Sequence, residues 1–119
     1  QCYNLTGSPV CGPNVTNMSY AYSGCINIGS NAYFYSNNVS NVRSCFNDRD
    51  TSNRLNIYVH SGSNTLNTLI KNITIYSLVG DNITWTDDVE TNGYHYNTAY
   101  NIYIYPVADV ATARSANGD

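Results

Sequence analysis

Few residues of this chain have the types and spacing for chemistry. Its two histidines, His60 and His95, fall on a strand-like run and beside a turn-like Asn-Gly, where an exposed imidazole is the ordinary reading. Ser and Asp occur without a nucleophile elbow of the form G-x-S-x-G, so no enzymatic activity and no cofactor are expected. One loop has spacing that suits a hard cation: Asn47, Asp48, Asp50, Ser52 and Asn53 place oxygens along a flexible segment, with Asp48 and Asp50 as candidate calcium ligands. That loop lacks the turn glycine and distant Glu of an EF-hand and carries Arg49 in its middle, which favours a solvated connection without metal. Asp87, Asp88 and Glu90 form a second acidic cluster, read the same way.

Tyrosine is the most distinctive side chain, with 12 in 119 residues. Tyr76, Tyr94 and Tyr96 share strand-like runs with Tyr33, Tyr35, Tyr58, Tyr103 and Tyr105, and these last five are the candidate binding residues. Three uses of such a set stay open. Aromatic rings can form a platform for sugars, a protein contact surface where Tyr is enriched and Lys depleted, or ordinary cross-strand pairs within a sheet.

Cysteines and sequons point to a compartment. Cys2, Cys11, Cys25 and Cys45 are even in number and contain no C-x-x-C pair, which predicts two disulfides, Cys2–Cys11 and Cys25–Cys45, rather than zinc. N-glycosylation triplets stand at Asn4, Asn14, Asn17, Asn38, Asn72 and Asn82. A chain with 19 Asn generates several by chance, so their weight comes from their company: cysteines, a start at Gln1 without Met, and only 11% charged residues. Together these predict a mature, secreted glycoprotein, extracellular or at the cell surface, with linked glycans. A net charge of -3 with 5 Lys and Arg excludes nucleic acid, whose binding draws on basic residues that release counterions. No run of about 18 apolar residues is present, so no membrane span is expected.

The elements that must position these residues read as all-β. Strands are expected over residues 19–22, 32–36, 55–60, 71–79, 83–86 and 94–107, and residues 65–70 form at most a short turn. In the clearest of them Leu55, Ile57 and Val59 face one way and Asn56, Tyr58 and His60 the other. Asn92–Gly93 is the strongest hairpin signal, joining the Trp85 region to the last long strand, and Pro106 should end that strand. About seven strands at this spacing predict a two-sheet antiparallel sandwich, Ig-like or jelly-roll in architecture, as a single domain over 1–119. Residues 1–18 would be a disulfide-bonded N-terminal arm, 19–107 the sandwich and 108–119 a polar tail.

In overall pattern, low charge, Tyr-rich strands and strand-like ends, the chain resembles the pilus-type fibre subunits that polymerise by strand donation. That resemblance implies a structural subunit of an extracellular filament or surface layer with itself as partner. The donor would be the N-terminal arm or the end of the last long strand with its tail. The alternative is a receptor-binding or adhesive domain of a viral or cell-surface glycoprotein, or a lectin-like carbohydrate binder, in which sequons shield most of the surface and one aromatic patch stays bare.

Overall fold

The computed structural model describes residues 7–25, 28–46, 49–71 and 85–119. The expected strand at 71–79, apart from Lys71, and the first half of that at 83–86 lie outside the described residues, as do Tyr76, Cys2, Asp48 and the sequon asparagines Asn4, Asn72 and Asn82.

One mixed sheet replaces the expected sandwich. Its strands are β1 (Val10–Cys11), β2 (Asn31–Phe34), β3 (Leu55–His60), β4 (Thr86–Asp88), β5 (Tyr94–Asn97) and β6 (Ile102–Val107), with two helices, α1 (Asn64–Lys71) and α2 (Val110–Ala116). The spatial order is β1-β2-β3-β6-β5-β4. The pairs β1–β2, β2–β3 and β3–β6 are parallel, whereas β5 pairs antiparallel with both β6 and β4.

Period-two alternation builds this sheet. Ala32 and Phe34, Leu55, Ile57 and Val59, and Ile102 and Ile104 all point to one face and are buried. Two loops and α1 cover that face, contributing Met18, Val39, Val42, Cys45, Phe46 and Leu69 to the same core. Residues 16–22 and 40–45 are irregular, yet they run side by side: Met18 donates to Asn41 O at 2.7 Å, Tyr20 to Arg43 O at 2.9 Å and Tyr22 to Cys45 O at 2.8 Å. Backbone groups that a helix would satisfy internally are satisfied between the loops instead.

Several local expectations are corrected. Residues 19–22 turn rather than extend, since Tyr20 takes φ 59°, the left-handed region no strand adopts. Leu66, Leu69 and Ile70 belong to a true helix, α1, started by Ser63 Oγ accepting from Leu66 N at 3.1 Å. The long strand at 94–107 is two strands, because Asn97 Oδ1 accepts from Tyr100 N at 2.9 Å and Asn101 turns the chain at φ 56°. Asn92–Gly93 does close a hairpin, but as a five-residue connection between β4 and β5: Gly93 N bonds Val89 O at 3.1 Å, with Gly93 at φ 77°. β6 continues through Pro106, whose missing N–H is harmless because β5 pairs no further along β6 than Ile104. The polar tail forms α2, capped by Asp109, which accepts from Ala111 N at 3.1 Å.

The expected disulfide pairing is also overturned. Cys11 and Cys45 are buried free thiols, so neither Cys2–Cys11 nor Cys25–Cys45 is bridged. Burial pushes both thiols up from their ordinary value, which keeps them protonated and unreactive. Cys25 is disulfide-bonded, and the N-terminal segment is held by β1 pairing and by Cys11 within the core.

Two outcomes follow from this packing. Ile57→Ala, at the centre of the sheet with no exposure, should cost about 2 to 5 kcal/mol in denaturant unfolding. In a non-reduced sample, alkylation should spare Cys11 and Cys45 in the native state and modify both once the chain is unfolded; native labelling of either would contradict their placement.

Candidate functional site

On the other face of the sheet the alternation delivers tyrosine and asparagine. Parallel register sets Tyr33 beside Tyr58 and Tyr58 beside Tyr105, and sets Asn31 beside Asn56 and Asn56 beside Tyr103. Neighbouring parallel strands lie about 4.8 Å apart with side chains leaning the same way, so rings at one level stack. Tyr33 and Tyr58 have centroids 5.4 Å apart at 18°, and Tyr58 and Tyr105 5.0 Å apart at 13°. The antiparallel pair β5–β6 extends the cluster: Tyr96 stacks on Tyr103 at 5.7 Å, and Tyr94 meets Tyr96, Tyr103 and Tyr105 edge-on at 5.2 to 5.5 Å. Each such contact contributes about 0.5–1.5 kcal/mol beyond burial.

α2 closes one end of this face. Tyr33 is fully buried beneath it. The Tyr33 hydroxyl donates to Asp119 and accepts from Asn117 Nδ2 at 3.1 Å, while Arg114 lies over the ring and donates to the Tyr35 hydroxyl at 3.4 Å. Burial first, and then the bond to Asp119, pushes the Tyr33 phenol up to about 12. The Tyr33 bond, followed by that from Asn31, holds the Asp119 carboxyl below the usual carboxylate range. Bonding with Tyr35 raises Arg114 above its already high value.

Toward β5 the face stays open, with Tyr58, Tyr94, Tyr96, Tyr103 and Tyr105 half-exposed. Arg54, one residue before β3, folds over this part. Its guanidinium carbon sits 3.6 Å from the Tyr103 ring centroid and 5.4 Å from that of Tyr94. Nε donates to Asn56 Oδ1 at 2.8 Å and Nη2 to the Tyr105 hydroxyl. Asn56 donates on to Asn31 Oδ1 at 3.2 Å, and Asn31 to Asp119 Oδ2 at 3.0 Å. A chain of amides thus connects the Arg54 cation to the Asp119 carboxylate across β3 and β2.

The five tyrosines named from the sequence all belong to this face: Tyr33, Tyr58, Tyr103 and Tyr105 through the sheet, Tyr35 through Arg114. Sequence reasoning missed Arg54, Asn31 and Asn56. The signal was there for Arg54, which precedes Asn56 and Tyr58 by two and four residues and so extends their outward row.

The other candidates are placed elsewhere. The Asp50 carboxylate accepts from Ser52 N at 3.0 Å, from Ser52 Oγ at 2.7 Å and from Asn53, bonds that lower its pKa and turn it into its own loop. Arg49 is nearly buried and holds that loop to the sheet, donating to Tyr100 O at 2.7 Å and to Asn53 O. His60 is exposed, whereas His95 is largely buried and sits 3.5 Å from Asp87, correcting its expected exposure. Among the described residues no three His, Cys, Asp or Glu cluster as metal ligands, and no helix is long and apolar enough to cross a membrane. Asn14, Asn17 and Asn38 are exposed. They lie in or beside the loops over the aliphatic face, opposite the tyrosines. In comparisons with protein-family models, curated proteins and solved structures, nothing matches the chain.

The α2 closure has a definite pH window. Because the Asp119 pKa is depressed, its contribution is full above about 4 and is lost as pH falls through the lower folded value. Because the Tyr33 pKa is raised, its contribution is full below about 10 and is lost as pH rises through about 12. Asp119→Asn should remove the acid-side change in near-UV circular dichroism, and Tyr33→Phe the corresponding alkaline one.

Proposed function

We propose that this chain is a recognition domain of an extracellular glycoprotein, adhesive rather than catalytic, which meets a carbohydrate ligand with its tyrosine and arginine face. The observation that carries this reading is the half-exposed cluster of five tyrosines gathered around Arg54. Rings stacked along a sheet stand upright on it, so solvent meets their edges and hydroxyls rather than their faces. The surface is therefore a row of phenol groups, each able to donate and accept, with amides beside them. A polyhydroxylated partner fits that chemistry better than an apolar one. The exposed sequons at Asn14, Asn17 and Asn38 support the same reading, since glycans there leave the tyrosine face clear.

The ends of the chain bear on the strand-donation alternative. β6 has a neighbour on each side, and the tail is folded into α2. Self-assembly by contact between the tyrosine faces of two copies is the rival that the following experiment separates.

Binding to immobilised oligosaccharides, read by biolayer interferometry, tests the proposal. Tyr94→Ala, at the open side of the cluster, should weaken binding about tenfold with an unchanged melting temperature. Asn38→Gln, on the opposite face, should leave affinity unaltered. A protein that binds no sugar but dimerises with rising concentration, and loses that on Tyr94→Ala, would replace the carbohydrate reading with self-contact.

A further inference from the structure

The recognition face contains a cation whose bonding capacity is only partly used. Arg54 is exposed, and its guanidinium makes two hydrogen bonds to protein, leaving three of its five N–H groups without a protein acceptor among the described residues. Among those residues the ion pair found within 4.0 Å is His95 with Asp87, so none of their carboxylates neutralises Arg54. An exposed arginine ordinarily samples many rotamers, at a side-chain entropy of up to about 2 kcal/mol. This one is fixed by the Tyr103 ring beneath it, by Tyr105 and by the amide chain running to Asp119. Position, charge and free donors are thus already in place before any ligand arrives.

The surroundings restrict which anion fits. Phenol hydroxyls and half-exposed ring edges flank the guanidinium on the β6 and β5 sides, a setting for a sugar ring rather than for a bare inorganic ion. Beyond Tyr94, Asp88 pairs with it across β4 and β5, its carboxylate bonded to Asn92. Negative charge is therefore accepted over β3 and β6 and repelled at the β4 edge. A planar carboxylate matches the guanidinium fork, with two parallel N–H···O bonds available.

We propose that Arg54 binds the carboxylate of an acidic sugar, a uronate or a sialate, whose ring hydroxyls are met by Tyr94, Tyr103 and Tyr105. The carboxylate lies over Arg54, and the hydroxyl-rich side of the ring points toward β5, away from Asp88. This assignment rests on the carbohydrate reading above and narrows it to one class of glycan.

Titration calorimetry with sialyllactose, an oligogalacturonate and neutral lactose tests it. At least one acidic sugar should bind about tenfold or more tightly than lactose, and which one does identifies the source of the carboxylate. Arg54→Gln should bring the acidic sugar down to the lactose level, with Arg54→Lys in between, because an ammonium keeps the charge but loses the fork. On the unmodified protein, added NaCl should weaken the acidic sugar and leave lactose unchanged, a readout independent of how the variants fold. Equal affinity for acidic and neutral sugars, Arg54→Gln without effect, or no difference in salt response would overturn the anion site while leaving the carbohydrate reading intact. Absence of binding by all three sugars would overturn both.

Discussion

The in-register parallel pairing of β2, β3 and β6 is the constraint from which the rest of this structure follows. It places equivalent levels of three strands side by side, so whatever occupies every second position forms a continuous row. On one face that row is aliphatic and is sealed by loops and α1. Parallel sheets normally need cover on their second face as well, since parallel strands connect through helices that pack there. Among the described residues α2 alone lies on that face, and the tyrosines supply further cover themselves. Their rings shield one another by stacking while their hydroxyls stay wet, which an aliphatic row could not do.

The same feature explains what the sequence revealed and what it concealed. The alternation of Leu55, Ile57 and Val59 against Asn56, Tyr58 and His60 located β3 residue for residue. Alternation of this kind is the usual mark of an antiparallel sheet with one wet face, and it led to a sandwich. Strand direction is decided by connections between distant segments, through loops such as residues 35–46 that carry no helix to announce a crossover. The break between β5 and β6 was hidden for a different reason. Tyr100 is as strand-prone as its neighbours, and only the local bond from its amide to Asn97, with Asn101 left-handed, interrupts the run. The cysteine pairing misled because the number of cysteines was read apart from position; Cys25 is bridged, whereas Cys11 and Cys45 serve as small apolar groups in the core.

Site residues were legible to the degree that they followed the strand period. The five tyrosines did, and Arg54 would have, had the outward row been extended one step before β3. Its role depends on facts the period does not contain: the neighbouring β6 strand that brings Tyr103 beneath it, and the amide relay that ends at a residue 65 positions away. In a chain with 11% charged residues, few other charges mask the field of a single fixed cation.

The edges of the sheet give this architecture one more property. In-register stacking of like side chains on parallel strands is also the geometry by which chains template one another into fibrils, adding copies at an open edge. Among the described residues the repeat ends on both sides: β1 offers two residues, and β4 offers three, two of them aspartates. A short margin on one side and a charged one on the other leave an incoming strand little to pair with. The tyrosine ladder is in this sense a crystal of fixed width, terminated by its own borders.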